Sequence, residues 1–161
     1  MADNTPNPGG VVAWYRERLD ELYDLVERAI RRVEPNATFS RTTAIDLDER
    51  STGPYTVESL EAVIPGKPGV RLVPQGIYQI GARGRVDAHS RLGTEVLVWV
   101  ELGGAALRMT VREGEDVLEQ ATKPVFPGVP EGWAWTDRRR VTLIPLSEQV
   151  FIDRVLPELV A

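Results

Sequence analysis

The chain has 161 residues, 42% hydrophobic and 27% charged, which suits one folded domain rather than a disordered or membrane-spanning polypeptide. It contains no cysteine, which excludes a disulfide scaffold, a thiol nucleophile and zinc–thiolate or iron–sulfur sites. A formal net charge of −5 argues against non-specific binding to nucleic acid or an anionic membrane, and no run approaches membrane-spanning length.

Residues 1–8 are polar and carry Pro6 and Pro8, so they predict a disordered tail ahead of a single domain over 9–161. The amino terminus lacks the basic start and apolar core of a secretory signal, and a cytoplasmic location is expected. From Gly10 to Glu34, the residues Val12, Tyr15, Leu19, Leu22, Val26, Ala29 and Val33 recur three and four apart, drawing one apolar stripe down a long helix. Trp14, Leu25 and Ile30 broaden the stripe, and Asp24–Arg28 and Glu27–Arg31 have the order that favours intrahelical pairs. Pro35 and Asn36 mark the end of the helix. The stripe suits packing on a sheet, with self-association through the same helix as the alternative.

Residues 38–48 alternate as one half-buried strand, placing Phe39, Thr43, Ile45 and Leu47 opposite Ser40, Thr42, Asp46 and Asp48. Asp46 and Asp48 therefore share an exposed face. Thr56 predicts the cap of a short helix over Val57–Val63. Val70–Ile80 and Arg85–His89 read as a hairpin around residues 81–84, with an odd loop that sets Tyr78 opposite Val86.

Thr94–Arg112 reads as a second hairpin turning at Gly103–Gly104, with Val96, Val98 and Val100 opposite Val111, Met109 and Leu107. That register puts Trp99 opposite Arg108 on the polar face, and the first helix is expected to cover the valine face. Residues 114–123 fit either a helix or a strand, and 124–132 form a proline-rich connection. Trp133–Thr136 starts a strand, Asp137 turns, and Arg139–Ile144 alternates as the last strand. Ser147 caps a closing helix from Glu148 to about Leu156, which Pro157 ends or kinks.

The order of elements gives an α+β fold, with a curved antiparallel sheet of about five to seven strands packed on the long helix and a short helix at the carboxyl end. Its catalytic inventory is thin. His89 is the single histidine, and the Asp87–His89 pair fits a solvated strand face better than a general base. The glycine-rich turns match no phosphate loop, and no cofactor is implied.

Trp99, Arg108, Trp133, Trp135, Arg138 and Arg139 combine the residue types that interfaces enrich. They point to a non-enzymatic binding module whose partner is another protein, or a second copy held through the first helix. The alternative is a small-ligand carrier or enzyme with a pocket between helix and sheet, using Tyr15, Tyr78, Asp87 and His89.

Overall fold

The computed structural model describes residues 8–41, 44–79, 82–101, 106–113, 116–124 and 129–161, with the backbone alone described over 106–113 and 116–124. Helix α1 spans Pro8–Val33. Tyr15, Leu19, Leu22, Val26, Ala29 and Ile30 are at most 2% exposed, so the apolar stripe is consumed inside this chain. Each such aliphatic side chain contributes roughly 1.5–3 kcal/mol on burial. Val33 falls off the stripe at 45% exposure, while Tyr23 joins it. Asp24 and Glu27 bond Arg41 instead of their helical neighbours, and Arg28 and Arg32 reach Glu148.

Strands β1 (Thr38–Ser40), β4 (Leu60–Val63), β5 (Val70–Gln79), β6 (Ala82–Ser90), β7 (Gly93–Val100), β10 (Gly132–Asp137) and β11 (Thr142–Pro145) form a seven-stranded antiparallel sheet in that order. Two smaller pairs stand apart from it, β2 (Ala44–Glu49) with β3 (Gly53–Glu58) and β8 (Ala106–Glu113) with β9 (Asp116–Pro124). Residues 38–48 are thus two strands rather than one. Thr42 and Thr43 lie outside the described residues, whereas Asp46 and Asp48 are exposed as their alternation predicts.

The helix expected over Val57–Val63 is replaced by the end of β3 and by β4. Tyr55, Val57, Leu60 and Ala62 are buried in steps of two, broken by one buried serine, Ser59, where the chain passes between sheets. Thr56 Oγ1 donates to Asp46 at 3.0 Å and caps no helix. The outer edge of β3 is closed by α1, because Arg16 donates to the Thr56 carbonyl and Tyr23 to that of Glu58. Covering an edge in this way removes a template for unwanted strand pairing.

The β5–β6 pairing is tighter than the expected odd loop, with Tyr78 opposite Arg83 and a bulge between Pro74 and Gly76. Glycines that look like turn residues serve inside the strands. Gly84 holds φ +98°, and a Cβ there would meet the Tyr15 ring at 3.3 Å. The bulge is tied to the β2–β3 pair by Glu49, whose carboxylate accepts from the Ile77 and Tyr78 amides at 2.9–3.0 Å and from the Tyr55 hydroxyl.

The expected pairing of 94–100 with 106–112 does not form. Strand β7 is paired on one side with β6 and on the other with β10, which leaves β8 to pair with β9. Its phase is also the reverse of the expected one, since Leu97 and Trp99 face α1. Val98 and Val100 join Ala134 in a second buried cluster on the opposite face.

The chain closes on α2, built from Glu148–Val150, a π-helical turn over Phe151–Val155, and Leu156–Val160. Ser147 Oγ accepts the Val150 amide at 3.1 Å, the cap expected of it. Pro157 neither ends nor breaks this helix. The preceding turn widens, with the Leu156 amide bonding the Phe151 carbonyl, and the proline's missing amide and ring are accommodated.

Candidate functional site

A group of charged side chains gathers at one end of the sheet, where the β10–β11 turn approaches α2. Trp135 pairs with Leu97 of β7 and Ile144 of β11, which directs its indole to the inner face, and Asp137 follows on that face. Both are buried, at 7% and 6% exposure. Trp135 Nε1 donates to Glu95 at 2.9 Å, and Asp137 Oδ1 accepts the amides of Arg139 and Arg140 at 3.0 and 3.4 Å. An aspartate that gathers the amides of the following residues fixes a turn. It holds Arg138, Arg139 and Arg140 fanned out at the tip, all exposed.

Between this tip and α2 lies a cleft of about 430 Å³, lined by Thr94, Glu95, Trp135, Arg138, Arg154 and Pro157 among others. Two of its four carboxylates, Glu95 and Asp137, are already engaged by the indole and the turn amides. Asp153 accepts from the Gln149 amide at 3.0 Å. Glu158 meets Arg139 at 3.3 Å across the mouth, with the arginine side chain 83% exposed. An ion pair so exposed contributes at most about 1 kcal/mol and yields readily to a competing anion. Among the described residues, Arg138 and Arg154 have no ion-pair partner.

The other flank of the tip is apolar. Thr136, Val141, Thr142 and Leu143 shape a shallow hollow of about 330 Å³, and Arg138 borders it as well as the cleft. Val141 is 89% exposed and sits at φ +53°, where a β-branched residue is strained.

Of the six residues expected to form a binding surface, Trp135, Arg138 and Arg139 meet at this cleft. Trp99 and Trp133 do not lie on a polar face. They are buried under α1, where Trp99 contacts Trp14 and Trp133 edge-on at 5.7 and 5.8 Å. Arg18 stacks over Trp99 at 5.3 Å, and Trp133 Nε1 donates to the Arg18 carbonyl at 2.9 Å. The side chain of Arg108 lies outside the described residues; its backbone pairs with Thr122, so it does not stand opposite Trp99.

The residues of the alternative pocket do not converge. Tyr15 is fully buried and donates to the Arg85 carbonyl at 2.7 Å, while Tyr78 is 39% exposed. Asp87 is taken by Arg85 through contacts of 2.8 and 3.1 Å, so it does not orient His89, whose Nδ1 lies 2.8 Å from Thr94 Oγ1. A groove of about 450 Å³ between α1 and β3 includes Arg16 and Tyr23, whose polar groups are spent on the β3 backbone.

Arg154 and Val141 were not legible as site residues, whereas Glu95 was expected on the partner-facing side of its strand. Arg154 lies on the polar side of an ordinary amphipathic helix, and Val141 fits a strand pattern that the turn interrupts. The Asp-Arg-Arg-Arg sequence at 137–140 was the usable signal, because aspartate before a polar run favours a turn. No protein-family model matches the chain, and comparison with curated proteins and with solved structures returns no match.

Proposed function

We propose that the protein is a non-enzymatic interaction module that receives an acidic segment of a partner protein in the cleft between the β10–β11 tip and α2. The carrying observation is the pair Arg138 and Arg154, which flank a cleft floored by Trp135 and, among the described residues, lack carboxylate partners. Guanidinium groups bind carboxylates in bidentate geometry, and arginine with tryptophan is the combination that dominates contact energies at interfaces. Glu158, loosely held by Arg139, marks where a partner carboxylate would take its place. A partner other than a second copy through α1 is favoured because the apolar stripe of that helix is already buried. A cytoplasmic setting belongs to the same proposal, and no described helix is long and apolar enough to cross a membrane.

The test is fluorescence anisotropy with a labelled dodecamer of glutamate, at low and at physiological salt. Wild type is expected to bind, more weakly as salt rises. The Arg138→Ala/Arg154→Ala protein is expected to lose about tenfold or more in affinity, since two charge-assisted contacts are removed. Equal affinity in the two proteins would refute the assignment of the cleft.

A further inference from the structure

We infer that the strained tip is the apolar half of the same site, so that the partner segment carries a bulky apolar residue beside its carboxylates. The inference rests on the cleft reading above and adds what the second contact is. Among the described residues, Val141 is the non-glycine residue with positive φ. The left-handed region costs a β-branched side chain more than it costs glycine or asparagine. A turn selected for stability alone would carry one of those. Here the strained residue is also 89% exposed, far above the other large exposed hydrophobic residues, of which Val63 comes next at 62%. Strain and exposure at one side chain are both unfavourable to the isolated fold, and strain of this kind concentrates where structure serves binding.

The surroundings specify the occupant. Val141, Leu143 and the methyl-bearing Thr136 and Thr142 line the hollow, and Arg138, with the turn-bound Asp137, borders both it and the cleft. An extended segment crossing Arg138 would lay a carboxylate on one side of the tip and an apolar side chain on the other. The two guanidinium groups without an ion-pair partner among the described residues, Arg138 and Arg154, select a segment that carries carboxylates, and the hollow selects one with a leucine- or phenylalanine-sized residue. A peptide of glutamate alone fills only half of such a site.

The experiment compares two labelled dodecapeptides, one of glutamate alone and one with a central Leu-Phe pair, on wild type, Val141→Asn and Val141→Gly. Wild type should prefer the Leu-Phe peptide by about tenfold, the effect of burying one large apolar side chain. Both variants should reduce that preference to about one, while their thermal midpoints rise above wild type because the strain is relieved. If wild type binds both peptides equally, or if the variants keep the preference, the inference falls and the cleft reading stands. If neither peptide binds, both fall.

Discussion

Replacing Glu49 with alanine tests the tie that joins the β2–β3 pair to the main sheet. Its carboxylate accepts from the Ile77 amide at 3.0 Å, the Tyr78 amide at 2.9 Å and the Tyr55 hydroxyl. Tyr78 is 39% exposed and its amide can turn to water, but Ile77 is fully buried and Tyr55 is 9% exposed. Two buried donors therefore lose their acceptor. At about 1–3 kcal/mol for each orphaned group, Glu49→Ala should cost roughly 2–6 kcal/mol, a large share of a typical domain stability of about 5–15 kcal/mol. Tyr55→Phe alone removes one hydrogen bond and should cost about 1–2 kcal/mol. In the Glu49→Ala background it should cost less, because the hydroxyl it removes is already unpartnered. Urea unfolding followed by circular dichroism gives all four corners of the cycle. A Glu49→Ala cost under about 1 kcal/mol, or an equal Tyr55→Phe cost in both backgrounds, would refute this role for the carboxylate.

Two further outcomes follow from the core. Burial raises the Tyr15, Tyr23 and Tyr55 hydroxyls well above the ordinary tyrosine range, so all three stay protonated in the folded chain. Their contribution is intact below the unfolded value of about 10 and is lost as pH rises through it, at up to about 1.4 kcal/mol per pH unit for each tyrosine. Unfolding free energies measured from pH 9 to 11 should drop by about 4 kcal/mol, and a flat profile would contradict this. Trp99→Ala removes a ring that is 9% exposed and packed between Trp14 and Trp133. It should lower stability by about 3–5 kcal/mol in urea unfolding, whereas a change within about 0.5 kcal/mol would place the ring at the surface.

The two helices were legible because their signals are local. A three-four stripe, Pro35 after the last turn, and Ser147 ahead of the closing helix each act within a few residues, and all three operate in the structure. The sheet class followed from period-two patterning. What failed was partner choice. Around β7 both faces are apolar, Leu97 and Trp99 on one and Val96, Val98 and Val100 on the other, so alternation does not decide which face turns inward. Gly103–Gly104 offered a local turn, but β10, more than thirty residues away, takes the β7 edge and brings Trp133 against Trp99. Gly84 misled in a similar way, since positive φ serves a close approach to Tyr15 as well as a turn. For the site, residue type identified Trp135, Arg138 and Arg139, but packing under α1 separated Trp99 and Trp133 from them. The contribution of α2 through Arg154 depends on tertiary packing that no short motif encodes.

The most direct measurement is a titration of the isotope-labelled protein with the glutamate dodecamer, followed by amide and indole NMR shifts. The chain has four tryptophans, whose indole signals report separately on the buried cluster and on the cleft. The Trp135 indole and the Arg138–Val141 and Asp153–Glu158 backbone amides should shift (Pro157 has none), with the Trp14, Trp99 and Trp133 indoles unmoved. Shifts confined to the α1–β3 groove, or spread evenly over the surface, would contradict the assignment of the cleft.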